Sequence, residues 1–149
     1  MARLYTSGFS ELEDELSKMR QDTRPLIRAM VQQGCELMKQ QRITTALAYG
    51  HVKSGDMIKG IGYSKNPRSV AGVVRNDVFS RGKDSNGTRN AEKEFLLNYG
   101  WDDYNADHWV EEAEKLGSEI AYDKMSSMMD YYIRTGNVPK VVVQKNRRK

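Results

Sequence analysis

The chain predicts an α+β fold, an antiparallel β-sheet of three to four strands packed against long N-terminal and C-terminal helices. Two observations carry this. Apolar residues recur every three or four positions near both ends of the chain, the period of an amphipathic helix. Between them, from Ser54 to Tyr99, the composition turns to β-branched residues punctuated by glycine and by Asn66-Pro67, the signature of short strands and turns.

At the N-terminal end Phe9, Leu12, Leu16 and Met19 predict a helix to about Arg20. Pro25 then either kinks one long helix or opens a second, and proline is well tolerated at a first helical position. A second segment from Pro25 to about Gln41 is therefore expected. Its apolar face is Leu26, Ile27, Met30, Val31, Cys35, Leu37 and Met38. Arg28, Gln32, Gln33, Glu36, Lys39 and Gln40 are expected to face water, and Gly34 to mark the close approach of a neighbour.

From Ser54 to Ile61 a capped single turn is expected, with Ser54 or Asp56 as cap, running into a strand through Ile61 and Tyr63. Asn66-Pro67-Arg68-Ser69 reads as a turn and Val70 to Val74 as the next strand, the two strands forming a hairpin. Ser80 to Asn90 has no apolar side chain and reads as a mobile loop. Phe95 to Tyr99 reads as a third strand, ended by Gly100. Asp107 is the expected N-cap of a last long helix whose stripe includes Trp109, Val110, Ala113, Leu116, Ile120 and Met128. Gly136-Asn137 ends it, and Val138 to Val143 reads as an edge strand despite Pro139.

The connector between Tyr99 and the last helix is the most informative stretch. Trp101, Tyr104 and Trp109 within nine positions are more apolar surface than a simple joint needs. Trp109 falls on the helical stripe and is expected in the core. Trp101 and Tyr104 are expected to meet a partner.

With 149 residues the chain is expected to form one domain over 1–137, followed by the edge strand and a basic tail over 138–149. The N-terminus lacks the apolar run of a signal peptide, no segment approaches the roughly 20 apolar residues of a membrane span, and one cysteine makes no internal disulfide. Net charge is +4, yet Lys140, Lys145, Arg147, Arg148 and Lys149 supply five positives, so the body of the chain is close to neutral.

No constellation of residues points to catalysis. Cys35 lies on an apolar helix face with no histidine near it in sequence, where a small core thiol is the ordinary reading. His51 and His108 lack a metal-ligand spacing. Asp102, Asp103 and Asp107 suit a helix N-terminus without any metal. Gly55, Gly60 and Gly62 lack the strand-to-helix setting of a phosphate loop, and Met125, Met128 and Met129 read as core filler. The expectation is no enzyme, no metal, no cofactor and no small-molecule substrate.

Behind a long helix, Ser54-Gly55-Asp56-Met57-Ile58-Lys59-Gly60-Ile61 comes first, then Phe95-Leu96-Leu97-Asn98-Tyr99-Gly100, followed by Ala106-Asp107-His108-Trp109-Val110-Glu111-Glu112-Ala113. This order resembles the head-tail joining, or tail-completion, proteins of long-tailed bacteriophages and prophages, over about residues 9 to 135. Asn98-Tyr99-Gly100 stands where that family more usually has Glu-Phe-Gly-Thr, and the basic tail lies outside its pattern. The resemblance implies a structural virion protein of the neck, assembled in the host cytoplasm as a homo-oligomeric ring, commonly a hexamer, between connector and tail-tube proteins with DNA passing through the channel. It implies an oligomer or partner interface at Trp101, Tyr104, Asn98, Tyr99, Asp102 and Asp103, and a flexible channel or interface loop bearing Arg81, Lys83 and Arg89. Arg147, Arg148 and Lys149 would contact DNA or a partner. The alternative reading is a small nucleic-acid-binding protein that uses the basic tail and the same loop.

Overall fold

The helical period at the N-terminus runs on without a break. Helix α1 spans Phe9–Ala48, 40 residues, about 60 Å. The structure, a computed structural model, describes residues 9–71 and 73–144, with side chains from residue 23 onward. Pro25 lies inside α1, so no second helix begins there. A proline within a helix forfeits one backbone hydrogen bond and crowds the preceding turn. The residues that follow it offset this by tertiary contact: Leu26 is fully buried, and Gly34, Cys35 and Ala46 are buried further along.

The partner of α1 is α4, Trp109–Thr135. A Cβ on Gly34 would lie 3.2 Å from Met125 Sδ, and one on Gly117 would lie 2.8 Å from Met38 Sδ. Tyr49 donates its hydroxyl to Glu112. Positions rise along α1 as they fall along α4, so the helices are antiparallel, and glycine sets their closest approach as expected at Gly34. Both helices end as their residues dictate, α4 at Gly136 with φ 69°.

Between them lie α2 (Asp56–Gly60), β1 (Ile61–Gly62), β2 (Arg68–Val70), β3 (Val73–Arg75), β4 (Phe79–Ser80) and α3 (Asn90–Tyr99). β1 pairs antiparallel with β4, Ile61 opposite Ser80, and β2 pairs antiparallel with β3, Arg68 opposite Arg75. The fold is α+β, with two two-stranded sheets where one sheet of three to four strands was expected. Val70 and Val74 do not share a strand, because the chain reverses at Ala71, whose φ is 50°. The expected third strand, Phe95 to Tyr99, is helical. Its neighbours Ala91-Glu92-Lys93-Glu94 are good helix formers, and its buried residues Asn90, Glu94 and Asn98 recur every four positions.

The core gathers Ala46, Met57, Ile61 and Trp109, with Ile43, Ile58, Val78, Leu97 and Val110 around them. Trp109 is fully buried, as its place on the stripe requires. Cys35 is buried as well, and burial, then the Asp77 carboxylate, pushes its thiol up to about 11. It stays protonated and unreactive at neutral pH. No helix among the described residues is long and apolar enough to cross a membrane.

The core is also more polar than the sequence suggests. Gln33 and Glu36, expected in water, are 3% and 1% exposed. Glu36 accepts from Tyr63 Oη at 2.7 Å and Gln40 Nε2 at 3.1 Å. Gln33 Oε1 accepts the Val142 N–H at 2.7 Å, and its Nε2 donates to the Val142 carbonyl at 3.3 Å. This amide takes the place of a strand partner. The stretch from Val138 to Val143 is accordingly no edge strand, and Pro139 brings no N–H to a ladder. Arg42 ties the layers together. Its guanidinium pairs with Glu94, donates to the Val78 carbonyl at 2.7 Å, and lies over the Trp109 ring at 5.9 Å. Glu94 in turn accepts the Ser80 N–H at 2.9 Å.

Candidate interaction surface

The connector begins where α3 must stop. Gly100 has φ 79°, and a Cβ there would lie 2.5 Å from the Tyr104 carbonyl oxygen, so glycine is required on both counts. Trp101 and Tyr104 then exchange backbone hydrogen bonds at 3.0 and 2.8 Å, closing a tight loop with Asp102 and Asp103 at its tip. Their rings stack at 4.5 Å with a 10° interplanar angle. The stack presents one rigid aromatic plate, and Trp101 remains 49% exposed.

The loop is anchored from below by Asp107. The N-cap of α4 is His108 where Asp107 was expected, yet Asp107 Oδ1 still accepts the Trp109 N–H at 3.2 Å, and its Oδ2 accepts the Tyr104 hydroxyl at 3.2 Å. The same Oδ2 stands 2.8 Å from His51 Nε2, and the His51 ring lies 5.5 Å from that of Trp109. Burial, and then the Asp107 charge, raises the Tyr104 hydroxyl above the ordinary tyrosine value, so it stays a donor.

Asn98 departs from its expected place at the interface. It is 1% exposed, and it holds the start of α4: its Oδ1 accepts the Val110 N–H at 2.8 Å and its carbonyl accepts the His108 N–H at 3.1 Å. An exposed carboxamide here would leave the first turn of α4 with unpaired N–H groups. Tyr99, Asp102 and Asp103 are exposed, as an interface needs.

α3 is inverted relative to an ordinary surface helix. Its buried residues are polar, Asn90, Glu94 and Asn98, with Leu97 alone packed toward the core, while Phe95, Leu96 and Tyr99 point outward at 61%, 42% and 54% exposure. Phe95 and Tyr99 rings contact at 4.7 Å, and Tyr99 meets His108 edge-on at 6.1 Å. Leu96 and Trp101 also help to line a cavity of about 660 Å³ between the segment around Val52 and the loop around Asn86.

No family model, curated protein or solved structure matches the chain.

The loop from Ser80 to Asn90 is anchored, contrary to the expectation from its lack of apolar residues. Ser80 is fully buried in β4 and Asn90 in α3. Asn90 Nδ2 donates to the Arg81 and Asp56 carbonyls at 2.8 and 3.2 Å. Asp84 Oδ1 accepts the Asn86 and Thr88 N–H groups at 2.9 and 2.8 Å, and Oδ2 pairs with Lys93. The Lys93 hydrogen bond, with those two backbone N–H groups, holds the Asp84 carboxyl below its usual range. Polar groups do here what apolar ones do elsewhere. Arg81, Lys83 and Arg89 lie on the other side of this loop from the aromatic plate, in a second cleft. Arg147, Arg148 and Lys149 lie outside the described residues.

Phe95 and Leu96 are interface candidates that the sequence reading assigned to a strand. The signal that finds them is the spacing of four among Asn90, Glu94 and Asn98, which places the apolar residues on the opposite face of a helix.

Proposed function

We propose that this chain is a structural assembly protein, a ring-forming subunit at the neck of a long-tailed phage virion that completes the tail or joins head to tail. The observation that carries the reading is the inverted helix α3. Phe95, Leu96, Tyr99 and the neighbouring Trp101 are 42–61% exposed while the helix buries asparagine and glutamate beneath them. Soluble monomers rarely keep such a contiguous apolar face unless a partner covers it. The rigid Trp101–Tyr104 plate supplies aromatic area at little entropic cost, and the exposed Asp102 and Asp103 beside it give the rim a charge that can select a basic neighbour.

A closed ring requires each copy to offer two different complementary surfaces, and the aromatic face is one of them. The long antiparallel pair of α1 and α4 is the rigid scaffold that holds it. The resemblance to head-tail joining proteins supplies the place in the virion, the neighbouring connector and tail-tube proteins, and six as the copy number; transient residence in the host cytoplasm precedes assembly.

Negative-stain imaging and sedimentation of the purified protein test the reading. Closed rings, lost on Phe95→Ser with the monomer still folded, are expected. A chain that stays monomeric at high concentration, and whose Phe95→Ser variant joins heads to tails at the wild-type yield, refutes it.

A further inference from the structure

Two pairs of like charges stand opposite each other in this fold, one across β2 and β3 and one across an isolated bridge in the following loop, and all four residues line one cleft. Arg68 is the direct cross-strand partner of Arg75, and Lys83 that of Arg89. Directly opposed side chains stand with Cβ atoms roughly 4.5–5.5 Å apart, where like charges destabilise a sheet. Arg81 joins them in the same cavity of about 880 Å³, against the one carboxylate of its lining, Asp77. Among the described residues none of the five cations forms an ion pair, whereas Arg42 and Lys93 are both paired. Arg81 Nε is buried without a hydrogen-bond partner.

We infer that this cleft binds the phosphodiester backbone of a nucleic acid. Repulsion built in twice, with Asp77 the one carboxylate of the lining and in no ion pair with these cations, is explained by an anion that lies between the pairs. Five cations spread over the β2–β3 hairpin, the end of β4 and the following loop, in a cavity of about 880 Å³, offer more charge than one phosphate carries and suit an extended anion. Four of the five cations are arginines, whose planar forks match phosphate oxygens two at a time. Phe79, 40% exposed in the cleft, carries the Arg81 guanidinium over its ring at 4.9 Å. That arrangement offers a base a stacking surface, which an acidic protein partner would not use. The inference stands apart from the ring, since the isolated subunit binds through this cleft whether or not copies assemble.

The test uses the full-length chain and labelled single-stranded and duplex DNA, with affinity measured by anisotropy over a series of salt concentrations. With about four to five phosphates contacted, log K is expected to fall with log salt at a slope of about −2.8 to −3.5 for single strands. Arg68→Ala with Arg75→Ala should weaken binding at least about tenfold at low salt and flatten the slope by about 1.4. Arg68→Lys with Arg75→Lys should keep the slope while losing part of the affinity, which separates charge from damage to the hairpin. Substituting Arg147, Arg148 and Lys149 by alanine should leave most of the binding in place. Unchanged binding in the Arg68/Arg75 double alanine variant, loss of binding only in the tail variant, or displacement of DNA by polyglutamate at equal charge overturns the inference.

Discussion

Replacing Glu94 by alanine tests whether the buried ion pair, rather than the small apolar core, holds the layers together. Arg42 and Glu94 side chains are 8% and 9% exposed, and Glu94 also accepts the N–H of the fully buried Ser80. Removing one partner of a buried pair costs about 3–5 kcal/mol, chiefly because the other charge is left without compensation. An orphaned buried N–H adds about 1–3 kcal/mol. Two features lower the sum. Arg42 keeps the Val78 carbonyl at 2.7 Å, and Glu114 Oε1, 3.7 Å away and half exposed, can take up part of the charge. We therefore expect Glu94→Ala to lose about 4 kcal/mol, a large share of the 5–15 kcal/mol typical of a domain. Urea unfolding at neutral pH measures it. Arg42→Met combined with Glu94→Leu removes both charges, and the double variant should be at least about 2 kcal/mol more stable than the sum of the single losses. A Glu94→Ala loss below about 1 kcal/mol, or additive single losses, refutes the reasoning.

Trp109→Ala should cost about 3–5 kcal/mol in thermal or urea melts, whereas Trp101→Ala, which deletes a half-exposed plate, should cost about 1 kcal/mol and lower the yield of assembled particles. Asp84 has its folded pKa depressed below 3.8 by Lys93, so its contribution to stability is complete above that value and drains away as pH falls below it toward the folded pKa. Asp84→Asn should therefore flatten the stability profile below about pH 4, measured by urea midpoints as the pH is lowered from neutral. Arg68→Ala should raise the melting temperature at low salt by the equivalent of about 0.2–1 kcal/mol, since it relieves repulsion with Arg75, and the gain should shrink in high salt.

The sequence alone determined the features that depend on local period and on single-residue conformation. The periodicity from Trp109 to Met128 describes α4 and buries Trp109, Ala113 and Met128, although Leu116 and Ile120 of the same expected stripe are 41% and 48% exposed; Asp107, one residue outside the N-cap His108, still accepts the Trp109 N–H. Gly34 marks the helix contact, where an added Cβ would stand 3.2 Å from Met125 Sδ, and Cys35 sits on a buried face. What only the tertiary structure decided involves partners distant in sequence. Nothing local distinguishes a buried glutamine from an exposed one until Val142, 109 residues away, is placed against Gln33. Glu94 belongs inside only because Arg42 meets it there. Phe95 to Tyr99 is equally apolar as a strand or as a helix, and the choice was made by the polar contacts of Asn90, Glu94 and Asn98, which turned the aromatic face outward. The basic cleft has the same origin, since pairing β2 with β3 brought Arg68 and Arg75 opposite each other and the loop bridge added Lys83 and Arg89. Apolar period is written along a chain, but the satisfaction of buried polar groups and the convergence of charge belong to pairs, and pairs exist only once the chain has folded.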